Sequence, residues 1–320
     1  MMNRQLSGVR KRTLQEMLGP LPDVDPDVYG NGGPVEALET RVAQLLGTEA
    51  ALFVPTGTMA QQIALKCWAD RTHNPIVAMH PQAHPLTHED EALTVLSGLR
   101  PIKVRNSEVG SCPEPFGTLL LEVPDREAGF ILPTWDELTE TVDLARERDA
   151  VVHLDGARLW ESTFGLGKPL AEIAGLFDSV YVSFYKSLGG ISGAALAGTQ
   201  DFVDQARVWR HRYGGMLFQQ WPAALSALHG LDTVLPKLGT YVEHAKVVAE
   251  AMGLPEPHTH QFALHLPGDP KQLTELSGTF LGSFWHDGPL AKTEITVAEP
   301  ALEWTADEVG EAWAEFQSLL

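Results

Sequence analysis

Asp178-Ser179-Val180-Tyr181-Val182-Ser183-Phe184-Tyr185-Lys186-Ser187-Leu188-Gly189-Gly190 reads as an apolar strand that runs into a polar turn. His153-Leu154-Asp155-Gly156-Ala157-Arg158 has the same shape, and Lys186 follows Asp155 by 31 residues (186 − 155). That spacing is one strand–helix–strand unit, whose two strands lie parallel in a single sheet. Asp155 and Lys186 should therefore surface together on the carboxyl edge of that sheet. An amine and a buried carboxylate aimed at one cleft are what pyridoxal 5′-phosphate requires. The lysine forms the Schiff base, and the carboxylate keeps the pyridine nitrogen protonated.

Outward from this pair, strand-like and helix-like segments alternate. Apolar runs occupy residues 51–55, 75–80, 101–105, 118–123, 150–154, 180–184 and 193–198. Thr134-Trp135-Asp136-Glu137 is a capping box, followed by an apolar face of Leu138, Val142 and Ala145. Val35, Leu38, Val42, Leu45 and Leu46 form another stripe, opened by Pro34 and stopped by Gly47. Continuous apolar strands separated by helices predict an α/β fold, with a mainly parallel sheet covered on both faces. From about Trp221 the pattern turns helical, with alternating segments near residues 261–266 and 292–297, which predicts a smaller α+β domain. The expected organisation is an N-terminal segment (1–22), a large cofactor-binding domain (23–222) and a small C-terminal domain (223–320).

Composition narrows the function. The chain has 320 residues, enough for a large core. It carries 23 Lys and Arg against 42 Asp and Glu, a formal charge of −19, which argues against nucleic acid or an anionic membrane as partner. No 18-residue apolar run and no signal-type N-terminus are visible, so a membrane span and a secretory leader are not expected. Cys67 and Cys112 are too few for a disulfide framework or a zinc cluster, which fits a cytoplasmic location and no metal.

A phosphate needs a cradle on the same sheet edge. Thr56-Gly57-Thr58-Met59-Ala60 follows the strand at 51–55 and opens a helical stripe through Ile63, Cys67 and Trp68. Free backbone N–H groups and the positive end of the helix dipole would face an anion there. Such junctions are common as plain turns, and the motif gains weight only beside Lys186.

At these residues the chain resembles the threonine aldolase and β-eliminating lyase family of fold-type I pyridoxal-phosphate enzymes. The resemblance runs from about Val24 to Gln219. It rests on Asp27-Val28-Tyr29-Gly30, Leu52-Phe53-Val54-Pro55-Thr56-Gly57-Thr58-Met59, Leu154-Asp155-Gly156-Ala157-Arg158-Leu159-Trp160 and Ser183-Phe184-Tyr185-Lys186-Ser187-Leu188-Gly189-Gly190. Ala83-His84, with Glu89 and Leu96-Ser97-Gly98 after it, matches the segment that places a histidine over the cofactor ring. The blocks keep the family's order and spacing. The resemblance implies a three-layer sandwich with a seven-stranded sheet. It implies Lys186 as the Schiff-base residue, Asp155 on the ring nitrogen, His84 stacked on the ring, and Gly57 and Thr58 on the phosphate. Arg158 would grip the substrate's α-carboxylate through its planar fork, with Ser7 a looser match to a second contact. Tyr29 would reach a neighbouring subunit's site, so a homodimer or tetramer with shared active sites is implied. From chemistry alone His80 and His88 compete with His84, and Arg158 could instead simply neutralise Asp155.

The chain departs from the family at substrate contacts. After the Leu121-Glu122 strand the family has Asn-Thr-His, whereas this chain has Pro124-Asp125-Arg126, with Asp125 in the histidine's place. His211 and Phe218 occupy positions where the family has basic phosphate contacts, leaving Arg210 or Arg212 to compensate. Lys292-Thr293-Glu294-Ile295-Thr296 lacks the second carboxylate-binding arginine, which Arg126 could replace. The expected activity is retro-aldol cleavage of a β-hydroxy-α-amino acid, threonine or allo-threonine in type, to glycine and an aldehyde. His84 is the first candidate for the base and Asp125 the second. The alternative is β-elimination, or other chemistry at Cα or Cβ, on a different amino acid.

Overall fold

The computed structural model describes residues 4–320, and the chain forms two compact units that do not follow sequence order. One unit is built from Thr13–Pro124 and Pro133–Leu235, the other from Met1–Arg12, Asp125–Leu132 and Pro236–Leu320.

The first unit holds seven strands: β1 (Ala50–Val54), β2 (Ile76–Met79), β3 (Arg100–Lys103), β4 (Thr118–Glu122), β5 (Val151–Gly156), β6 (Ser179–Ser183) and β7 (Ala194–Gly198). Their order is β1-β7-β6-β5-β4-β2-β3. Strands β2 to β6 pair in parallel, and β7 runs antiparallel to both β6 and β1. Six of the seven coincide with apolar runs in the sequence, whereas the edge strand β3 reads Arg100-Pro101-Ile102-Lys103 and has no buried residue. Residues of β6 and β7 are buried throughout, as a sheet covered on both faces demands. Leu52 and Val54 pack with Ile63, Cys67, Leu196 and Phe202. Phe53 points the opposite way by the two-residue period and stacks on Phe184, with centroids 6.2 Å apart.

Helix ends fall where the sequence places them. The helix Gly33–Leu46 carries Pro34 in its first turn and ends at Gly47, whose φ of 65° lies in the left-handed region that glycine adopts without strain. The capping box closes on both sides at Thr134 and Glu137, opening the helix Trp135–Arg146.

The second unit contains a three-stranded antiparallel sheet, ordered β8 (Gln261–Leu266), β10 (Leu290–Thr296), β9 (Trp285–Asp287). Phe262, Leu264, Ile295, Val297, Phe280, Trp304, Val309 and Phe316 form its core, with Leu6 from the N-terminal stretch buried among them. No helix among the described residues is long and apolar enough to cross a membrane, and no group of metal-ligating side chains is found among them.

Candidate active site

Parallel strands bring their carboxyl ends to one edge, and this edge is where the chemistry gathers. Glu122, Asp155 and Tyr181 stand side by side on β4, β5 and β6. Asp155 is only 2 % exposed, and its Oδ1 accepts the Ala157 N–H at 3.1 Å. Burial pushes its carboxyl above the ordinary range, while Lys186, then His84, then that N–H pull it back. The charge of Lys186 is thus felt at Asp155. Lys186 sits on a turn closed by the Gly190 N–H to Phe184 O bond, at 2.7 Å, and the Gly189 N–H to Lys186 O bond, at 3.2 Å. Trp160 Nε1 donates to Ser183 O at 2.8 Å and ties the following helix, Leu159–Leu166, to the end of β6.

The edge is held in register from below. His153, two residues before Asp155, lies on the same strand face and is fully buried. Its Nδ1 meets Ser179 Oγ at 2.7 Å, its Nε2 meets Gln61 Oε1 at 3.1 Å, and Trp68 Nε1 donates to Ser179 Oγ at 2.7 Å. Burial drives the imidazole down to about 3, so the ring is neutral and bridges β5, β6 and the helix Gly57–Thr72 as an uncharged group.

That helix opens onto the same edge. Thr56 caps it, its Oγ1 accepting the Met59 N–H at 3.2 Å. Gly57 is its first residue, and a Cβ there would collide with the Tyr181 hydroxyl. The bare glycine lets the Tyr181 hydroxyl approach the exposed N–H groups of the first turn. Burial holds Tyr181 well above the usual phenol range, so it is a neutral donor.

His84 begins a short turn of helix, its backbone N–H donating to Glu122 Oε2 at 3.3 Å. Its Nδ1 lies 3.4 Å from Oε1 of the buried Glu89. Glu89 Oε2 accepts from Gln62 Nε2 at 3.3 Å, Gln62 Oε1 accepts from Ser97 Oγ at 2.5 Å, and Ser97 Oγ meets the Tyr213 hydroxyl at 2.7 Å. Arg158 stands at the start of the helix Leu159–Leu166, and its charge acts on Tyr185, Tyr181 and Glu161.

An amine, a buried carboxyl, a helix start free of side chain and a nearby imidazole form the set that an aldehyde-bearing pyridine phosphate needs, and these residues fit it. Lys186 would hold the aldehyde carbon, Asp155 the ring nitrogen, and Gly57 and Thr58 the phosphate.

Other residues expected from the sequence stand as follows. Tyr29 is half-exposed with φ 53°, its ring edge-on to Phe218 at 5.4 Å and its N–H donating to Phe218 O at 2.8 Å. Arg210 is buried, with Nη1 donating to Phe53 O at 2.9 Å, so its guanidinium is committed to the core. Arg212 is exposed and lies over the Trp209 ring, 4.5 Å from its centroid. Within the second unit, Asp125 Oδ1 accepts the Ala128 N–H at 3.0 Å, and Arg126 pairs with Glu127 at 2.9 Å and Glu294 at 2.7 Å. Ser7 Oγ accepts the Thr296 N–H at 3.1 Å and donates to Glu294 O at 3.3 Å. Tyr181, Glu161 and the Glu89 contact to His84 were not singled out from sequence. Tyr181 reads there as one more strand residue, and Glu161 as a helix-surface charge.

The β-eliminating lyase family model matches residues 16–122 and 113–265. The low specificity L-threonine aldolase of Escherichia coli strain K12 is 31% identical over 254 residues, covering 75% of each chain. A candidate L-allo-threonine aldolase of Listeria monocytogenes superimposes with a TM-score of 0.92 at 36% identity, over 99% of this chain and 96% of that one. A candidate aromatic amino acid β-eliminating lyase/threonine aldolase of an Exiguobacterium species gives 0.91 at 36%, over 100% and 98%.

Proposed function

The chain belongs to the β-eliminating lyase family, and on that premise we propose that it binds pyridoxal 5′-phosphate at Lys186 and cleaves β-hydroxy-α-amino acids of the threonine type to glycine and an aldehyde. The observation that carries the reading is the parallel pairing of β5 and β6, which brings the buried Asp155 and the turn bearing Lys186 to the edge where the helix Gly57–Thr72 opens. When bound, the cofactor supplies a cationic ring that accepts the electron pair released as a bond to the amino acid's Cα breaks.

The chain's own residues do the rest. Asp155 would accept the ring N–H, and its negative charge would keep that nitrogen cationic. Gly57 and Thr58 present backbone N–H groups to the phosphate, which the helix dipole reinforces. Arg158 takes the substrate carboxylate in a two-pronged contact. His84, whose Nδ1 lies 3.4 Å from Glu89 Oε1, would receive the β-hydroxyl proton, so that Cβ leaves as an aldehyde.

Threonine, allo-threonine and phenylserine, each incubated with the cofactor-loaded protein, should release glycine and the matching aldehyde. A keto acid with ammonia would instead establish β-elimination, the reading favoured by Asp125 standing where the family has histidine. Arg158→Lys should raise KM about 10-fold, or about 1.4 kcal/mol, because a point charge cannot reproduce the fork.

A homo-oligomer is supported by exposed apolar side chains at Val28, Tyr29, Leu217 and Phe218, of which Tyr29 and Phe218 meet edge-on. Arg212, exposed on the same unit, is the proposed phosphate contact. A cytoplasmic location is supported by two cysteines that are both free thiols.

A further inference from the structure

Glu161 is a buried acid that the proposed reaction does not use. It lies in the first turn of the helix Leu159–Leu166 and is completely excluded from solvent. Its Oε1 accepts a hydrogen bond from Ser187 Oγ at 2.7 Å, and Ser187 is the residue after Lys186. Its Oε2 is buried and has no hydrogen-bond partner. The cations that face it are Arg158, on its own helix start, and Lys186, on the turn after β6. A carboxyl with one satisfied and one orphaned oxygen is costly to keep charged in a dry site, and a leucine or glutamine would fill the same space without that cost.

We propose that Glu161 is a positioning residue for Lys186: through Ser187 it fixes the turn that carries the amine, and by gaining or losing its own proton it sets the pH at which that amine becomes free to react. The inference rests on Lys186 being the cofactor lysine. Only the neutral amine attacks an aldehyde, and a nearby carboxylate holds the amine in its charged form, whereas a carboxylic acid does not. Burial pushes the Glu161 carboxyl up to about 7, against the pull of Ser187, Arg158 and Lys186, so its charge changes near neutral pH. Below that range Glu161 is neutral and places no charge beside the amine. Above it, a negative charge appears between two cations, and the amine keeps its proton to higher pH.

The test is capture of pyridoxal 5′-phosphate by the cofactor-free protein, followed across pH 6–9 by the visible band that forms as the amine nitrogen replaces the aldehyde oxygen, which leaves as water. Glu161→Gln should move the midpoint of capture down by about half to one pH unit, since the charge that held the amine's proton is gone. Ser187→Ala should move it the same way by less. Losing the hydroxyl keeps Glu161 protonated to higher pH, and this variant also decides the matter should Glu161→Gln fail to fold. Glu161→Asp, which restores the charge, should titrate near wild type. A purely packing role would lower stability and leave the midpoint alone. Midpoints in Glu161→Gln and Ser187→Ala equal to wild type would overturn the inference while leaving the cofactor assignment standing. A wild-type protein that captures no cofactor would overturn both.

Discussion

Lys186→Ala should abolish covalent retention of pyridoxal 5′-phosphate and lower kcat/KM for threonine-type substrates by about four orders of magnitude, or about 5.4 kcal/mol. Lys186 is the amine whose charge opposes burial of the Asp155 carboxyl most strongly. Alanine keeps the turn, which is closed by backbone bonds at Gly189 and Gly190 and does not depend on the side chain beyond Cβ. The fold should therefore survive, and far-ultraviolet circular dichroism should match wild type. The measurement is the visible band after gel filtration: present in wild type, absent in the variant. A variant that keeps the band after filtration, or that retains more than about a hundredth of the activity, would move the reactive amine elsewhere.

The sequence carries the large architecture because hydrophobic period and punctuation are local signals. Six of the seven strands of the main sheet lie in apolar runs (the edge strand β3 does not), Gly47 stops its helix through a φ that only glycine adopts freely, and Thr134 with Glu137 marks a helix start within four residues. The three-residue strand β9 escapes this reading, because Trp285, His286 and Asp287 are all exposed and show no alternation. The N-terminal Leu6, buried in the core of the second unit, gives no local sign of a partner some 280 residues downstream. Non-local pairing leaves no mark on either partner alone.

At the site, the residues that family resemblance can carry are those with fixed spacing, namely Gly57, His84, Asp155, Arg158 and Lys186. Their supports are harder to read. Glu161 and Glu89 look like surface acids in a chain with 42 of them, yet both are buried. Ser179, His153 and Gln61 come from three separate elements and become one polar chain only when β5, β6 and the helix behind them are assembled. Arg210 and Arg212 are two residues apart in a basic run. On a helix that separation turns them to different faces, so one enters the core and the other faces solvent.

Asp155→Asn should separate function from stability. On the proposed assignment the carboxylate would keep the ring nitrogen cationic, and a neutral amide could not hold that proton. Activity should fall about 1,000-fold, or about 4.1 kcal/mol, with cofactor still retained by Lys186. In the cofactor-free protein the sign reverses. Burial raises the Asp155 carboxyl above its unfolded value of 3.8, so between 3.8 and the raised value the folded chain keeps a proton that the unfolded chain releases. Stability contributed by this group is therefore full below pH 3.8 and declines as pH rises through that window. Asparagine has no proton to lose, so the cofactor-free variant should gain on wild type as pH rises, and thermal melts at low and neutral pH will show the gap opening. Adding cofactor should close it, because a cationic ring nitrogen stabilises the carboxylate of wild type and gives asparagine nothing comparable. Parallel pH–stability curves for the two cofactor-free proteins would mean that Asp155 is not under the burial strain that makes it a counter-ion in waiting.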